Sequence, residues 1–224
     1  MKYISLWLQL AFFLISSSFM YGAKAAEPQF KDLKICDDAG EWPPYAFYER
    51  DKNGEIMKPE KIVGYSVDAL KYMMDKNKIS YSLEMLPWKR CLNDVKEYKD
   101  KYTLILEFSK GNPQRDKDYY MTEPFYQNTP AVFYNKKKFP KGLDLVKLED
   151  LKKYTACGLL GYNYGPLGYK PEEIDTGSRN IEQLLQKVKA GRCDLFPNNV
   201  EIMAGFKHSS HLDVIVDPLI TPVR

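Results

Sequence analysis

Two apolar periodicities alternate along this chain, and the alternation runs twice. Strand-like apolar stretches lie at residues 33–36, 79–86 and 103–108. Helix-like stretches lie between them. Val67, Leu70 and Met74 recur at i, i+3 and i+7 behind Ser66, the expected cap. Trp88, Cys91, Leu92 and Val95 share one face of a helix expected over 88–98. Gly111-Asn112-Pro113 reads as a turn. The pattern then restarts, with strands expected at 131–134, 155–160, 193–196 and 212–216. Helices are expected at 148–154, 199–206 and from a Ser178 cap to Ala190, with Gly191 as the stop. This order predicts an α/β fold in which each half is a mostly parallel sheet flanked by helices. Two such runs predict two lobes, 26–130 and 131–216, with a cleft between them.

The first 25 residues read as an address. Lys2 precedes an apolar run at 4–15, and Ala23-Lys24-Ala25 supplies a small-residue cleavage site. That order is a secretory signal peptide, and the run is short of the roughly 20 residues of a membrane span. The mature protein is therefore expected to be soluble and exported to the periplasm. In an oxidising compartment the four cysteines, Cys36, Cys91, Cys157 and Cys193, favour two disulfides. Three connectivities are open, and the simplest is Cys36–Cys91 with Cys157–Cys193, one bond per half. Buried free thiols are the alternative.

Charge excludes one class of partner. Beyond residue 25 the chain has 31 basic against 30 acidic side chains, too even for a basic patch that neutralises nucleic-acid phosphates. The aromatic fraction of 14% argues against disorder. His208 and His211 have no cysteine or carboxylate cluster at ligand spacing, so no metal or other cofactor is expected. No Gly-x-Ser-x-Gly and no Cys/His nucleophile pair is present, and no catalytic residue is assigned.

Ligands of open α/β sheets bind beyond the carboxyl ends of strands. The residues there are Trp42 and Tyr45, Trp88 and Arg90, Ser109 and Arg115, the 161–165 loop with Tyr162 and Asn163, and Asn198 and Asn199. Aromatic walls, guanidinium groups and neutral hydrogen-bonding groups suit a small polar or anionic solute.

Several stretches, taken in order, resemble the bacterial extracellular solute-binding proteins of family 3, the periplasmic receptors of polar amino-acid ABC transporters. They are Trp42-Pro43-Pro44-Tyr45, Gly64-Tyr65-Ser66-Val67-Asp68, Asn112-Pro113-Gln114-Arg115, Pro124-Phe125-Tyr126, Leu148-Glu149-Asp150-Leu151, Gly161-Tyr162-Asn163-Tyr164-Gly165 and Gly191-Arg192-Cys193-Asp194. The resemblance implies a type II periplasmic-binding fold that closes on a solute by a hinge and docks, as a monomer, on an inner-membrane permease. It implies that Arg115 grips a ligand carboxylate, with Ser109 beside it and Tyr162 and Asn163 bonding from the second lobe. Asn112 stands where the family often has Thr, Thr103 where it often has Asp, and Asn199 where an acid usually holds the ligand ammonium. The carboxylate half of the site is thus better kept than the ammonium half, and the ligand need not be a standard α-amino acid. The family's chain usually crosses back to the first lobe through a segment like 217–224 and runs on by about 30–40 residues. A fragment or a gene truncation is implied. Two alternatives share the scaffold: a sensory or partner-binding module, and a cyclohexadienyl-dehydratase-like enzyme with Glu107 or Glu123 as proton-transfer group.

Overall fold

The computed structural model describes residues 31–209 and 216–220. The signal peptide expected over 1–25, His211 and the 212–215 part of the last expected strand lie outside them. In the first half, strand β1 is Leu33–Asp38, β2 Phe47–Tyr48 and β3 Ile62–Val63. Helix α1 (Tyr65–Asn77), β4 (Tyr81–Leu86), α2 (Trp88–Lys96), β5 (Tyr102–Ile105) and α3 (Pro113–Asp118) follow. Strand β1 is central, parallel to β4 on one side and β5 on the other. One face of this sheet buries Ile35 with Leu70 and Met74 of α1. The other buries Cys36 with Trp88 and Cys91 of α2. A disulfide joins Cys36 to Cys91 across Cα atoms 5.8 Å apart, tying strand to helix.

The second half holds β6 (Pro130–Asn135), β7 (Cys157–Leu159), β8 (Asp175–Ser178), α4 (Ile181–Lys189), β9 (Leu195–Asn199), α5 (Val200–Ser209) and β10 (Val216–Ile220). Strands β7 and β8 are parallel, and a parallel bridge from Ala156 to Leu195 links β7 toward β9. Strand β6 runs antiparallel to both β9 and β10. Periodicity cannot encode that direction, because parallel and antiparallel strands share the two-residue repeat. The apolar face of α4 (Ile181, Leu184, Leu185 and Val188) is buried beside a second disulfide, Cys157–Cys193. Among the described residues no helix is long and apolar enough to cross a membrane.

Two caps differ from the sequence expectation. Ser178 ends β8 and is fully buried, two residues too early for α4. Asn180 caps that helix, its side chain accepting from the Gln183 N–H at 3.0 Å. Ser66 lies inside the first turn of α1, fully buried, and Gly64 takes the cap position. Gly64 has φ 129, and a Cβ there would stand 2.2 Å from the Tyr45 carbonyl oxygen. The close approach lets the Tyr65 and Ser66 N–H groups donate to Pro44 and Tyr45 carbonyls, which aims the Trp42–Tyr45 turn. Gly64→Ala therefore costs about 2 kcal/mol in a urea melt, combining left-handed strain with displaced backbone. A loss below a few tenths would refute that reading.

The Gly111–Pro113 turn also leads into something the sequence reading did not foresee, the short helix α3. Asn112 caps it, accepting from the N–H groups of Gln114 at 3.0 Å and Arg115 at 3.1 Å, and Pro113 opens its first turn.

Candidate solute-binding site

The carboxyl ends of the first sheet face the loop after β7, and most of the residues singled out from the sequence meet there. Arg115 is anchored at its backbone by the Asn112 cap, which turns its side chain back over Phe108, 4.7 Å from guanidinium carbon to ring centroid. One terminal nitrogen donates to Ser109 Oγ at 3.0 Å and the other to the Gly161 carbonyl at 3.0 Å. The residue is only 9% exposed, and no carboxylate among the described residues pairs with it. Burial lowers its pKa from the ordinary value, yet an arginine stays charged at any working pH. A buried fork of donors with only neutral acceptors is built to take an anion.

Trp88 comes to the same carbonyl, its indole N–H donating to Gly161 at 3.2 Å. Gly161 has φ 83, and a Cβ would meet the indole at 3.2 Å, so the loop can lie this close only as glycine. The Tyr162 ring packs edge-on between Trp42, at 5.4 Å, and Trp88, at 6.0 Å. Its hydroxyl donates to Asp38 Oδ2 at 2.6 Å. Burial, and then the Asp38 charge, push the Tyr162 phenol well above its ordinary pKa. Asn163 Oδ1 accepts from the Asn112 side chain at 3.2 Å. Tyr45 stacks on Tyr126, with centroids 4.1 Å apart, and is buried in the second sheet's apolar cluster.

One residue stands apart. Arg90 lies on the outer face of α2, its side chain 54% exposed, with Nε 3.0 Å from Asp94 one helical turn on. It lines an open depression with Lys34, Glu84 and Tyr102. Helical rotation is the reason: Trp88 and Cys91 face the sheet, so the residue between them faces outward. Asn199 ends β9, pairs with Pro130, and its backbone N–H donates to the Asn198 side chain at 2.8 Å.

Sequence reading did not place Asp37 and Asp38 in the site, and it named Glu107 only for the enzyme alternative. Asp37 and Asp38 end β1, Glu107 follows β5, and all three are buried. Asp38 accepts from Tyr162 and from the Gly40 N–H at 2.8 Å, yet burial raises its pKa to about 6. Glu107 accepts from the Tyr126 hydroxyl, and burial raises its pKa to about 7. Asp37 is raised by burial first and by the nearby Glu107 charge second. The usable signal was an Asp-Asp pair placed directly on the end of an apolar strand, where a packed sheet has little water to offer.

No protein-family model matches the chain, and no curated protein matches it. Solved structures do. The arginine-, lysine-, histidine-binding protein ArtJ from Geobacillus stearothermophilus superposes with a TM-score of 0.66 at 15% identity, covering 86% of this chain and 77% of that one. An ancestral arginine-binding protein bound to glutamine gives 0.64 at 17% identity, covering 86% and 79%. AncCDT-1, an ancestral amino-acid-binding protein and precursor of cyclohexadienyl dehydratase, gives 0.61 at 16%, covering 86% and 78%. These likenesses establish the fold. It is that of the two-lobed periplasmic binding proteins, sheets flanked by helices, as the sequence resemblance implied, with the antiparallel β10-β6-β9 sheet departing from the mostly parallel one expected in the second half.

Proposed function

We propose that the chain is an exported solute-binding protein that captures a small polar or anionic solute between its lobes for an ABC-type permease. In this reading residues 26–130 and 131–216 are the lobes and 217–224 begin the return crossover. The observation that carries it is the Arg115 guanidinium, buried, held by Ser109 and the Gly161 carbonyl, and unpaired with any carboxylate among the described residues. A ligand carboxylate replaces the Gly161 carbonyl or joins it on the same fork. Trp42, Tyr45, Trp88 and Tyr162 wall the solute, while Ser109, Asn163 and Asn199 offer neutral hydrogen bonds. Solved neighbours that bind amino acids support a ligand of that size.

A thermal-shift screen of amino acids and small carboxylates finds a stabilising solute, and calorimetry then measures it. A hundredfold excess over Kd adds about 2.7 kcal/mol of stability. Arg115→Met weakens that binding at least a hundredfold with the circular dichroism spectrum unchanged. Equal affinity in the variant would sink the reading. The solute is recovered unchanged after incubation. An enzyme of the dehydratase kind, for which Glu107 is the proton-carrying group in reach, would instead release product, visible by chromatography.

A further inference from the structure

Three consecutive residues of the second half, Gly161, Tyr162 and Asn163, bond to β1, α2 and the capped start of α3 in the first half. The Gly161 carbonyl accepts from the Arg115 guanidinium at 3.0 Å and from the Trp88 indole at 3.2 Å. The Tyr162 hydroxyl donates to Asp38 Oδ2 at 2.6 Å, and the Asn112 side chain donates to Asn163 Oδ1 at 3.2 Å. The Tyr162 ring also packs on apolar clusters of both halves. The root of the loop belongs to the second half alone. Tyr164 is buried there, and its hydroxyl accepts from the Leu159 N–H at 2.7 Å.

The groups so engaged are the ones a solute needs. The single N–H of Trp88 and one arm of the Arg115 fork both end on Gly161, whose carbonyl has only two lone pairs to give. The Tyr162 ring fills the space between Trp42, at 5.4 Å, and Trp88, at 6.0 Å. A neutral carbonyl is a weaker partner for a guanidinium than a carboxylate is, so it yields to one. The strongest of the loop's bonds is the one from Tyr162 to Asp38. The Gly40 N–H holds the other Asp38 oxygen at 2.8 Å, so the acid stays with the first half and the phenol is the part that leaves.

We infer that Gly161–Asn163 is a tethered plug: it occupies the Arg115 fork and the Trp42–Trp88 slot of the empty protein, is latched by Tyr162 on Asp38, and competes with the solute. The inference rests on the solute-binding reading and adds an autoinhibitory contact to it. Because the root of the loop is packed into its own half, the plug withdraws when that half swings away. Trp42 and Trp88 then face the solute directly, and Tyr162 returns as a wall once the solute is seated.

A latch of this kind weakens binding in proportion to its own population, since only the unlatched fraction takes a solute. Loosening it therefore tightens binding. A residue that merely walls the solute has the opposite sign: trimming it weakens binding or leaves it unchanged. Tyr162→Phe separates the two, because it keeps the ring and removes only the hydroxyl that reaches Asp38.

Two measurements on the mature protein test this. Of the three tryptophans, Trp7 falls in the expected signal peptide, so the fluorescence of the mature protein comes from Trp42 and Trp88, the rings beside Tyr162. Without solute, the acrylamide quenching constant rises about twofold or more in Tyr162→Phe. In calorimetry with L-glutamate, L-lysine and glutarate, a probe that binds the parent binds the variant about five times more tightly or better, and a probe that binds only the variant supports the plug equally. Circular dichroism and intact disulfides check the fold. If Tyr162→Phe fails to fold, Asn163→Ala makes the same comparison, since Asn112 still caps α3 through its Oδ1. Quenching equal to the parent's, or binding that is equal or weaker, overturns the plug and leaves the solute-binding reading standing. Binding of no probe by either protein counts against that reading, and the quenching comparison then decides the latch by itself.

Discussion

The melting temperature falls by about 10 °C as pH rises from 5 to 8 without ligand, and Asp38→Asn and Glu107→Gln each flatten the fall. Burial raises Asp38 from an ordinary 3.8 to about 6, and Glu107 from 4.5 to about 7. Between the ordinary and the raised value the folded protein holds a proton that the unfolded chain has released. Stability therefore declines as pH rises through that window, the reverse of a salt-bridged carboxylate. Only the part of each rise that lies above pH 5 is lost in this range, about 2 kcal/mol for each group, and a chain of this size loses roughly 2–4 °C per kcal/mol. The amide variants stay neutral, so they gain on the parent at pH 8 and match it near pH 5. A melting temperature that rises toward pH 8 would show both carboxylates to be solvated or paired.

Each disulfide has a comparable effect by a different route. Cys36–Cys91 closes a sequence separation of 55 and Cys157–Cys193 one of 36. Loops of these lengths restrict the unfolded chain by about 4 kcal/mol apiece at 25 °C. The bonds lie in different sheets, β1 to α2 and β7 to the segment before β9, so their losses add. Domain stabilities run to about 5–15 kcal/mol, so removing both bonds leaves little. Urea melts of the Cys36→Ala/Cys91→Ala protein, of the Cys157→Ala/Cys193→Ala protein and of the fourfold variant measure this. Each pair loses about 4 kcal/mol, and the fourfold variant is largely unfolded at 37 °C. A pair whose removal costs under 1 kcal/mol would mean that the unfolded chain already holds those segments together.

Arg115 shows how far local sequence reaches. Asn112 and Pro113 are a cap and a first-turn proline, readable as such, and together they fix the backbone of the third helical residue. The reading of 111–113 as a plain turn missed that Asn112 caps the helix that follows. Arg90 shows the opposite. It follows a strand, as a cleft residue should, but two positions after Trp88 the helix has turned it to solvent. Glu107 was legible as a strand end and a candidate proton-transfer group, but its burial was not, because the cost of burying a carboxyl depends on what surrounds it in three dimensions.

By itself the amino-acid order determined the alternation of strands and helices, the apolar faces that pack them, the sulfur count for two crosslinks, and the aromatic and guanidinium groups at the strand ends. Those follow from periodicity and side-chain chemistry, which act over a few residues. Tertiary structure alone decided the direction of β6, the caps at Gly64 and Asn180, the outward turn of Arg90, and the burial of Asp37 and Glu107 with no lysine or arginine partner among the described residues. These depend on which distant segments come together, since charge compensation and burial are properties of a neighbourhood and not of a chain position.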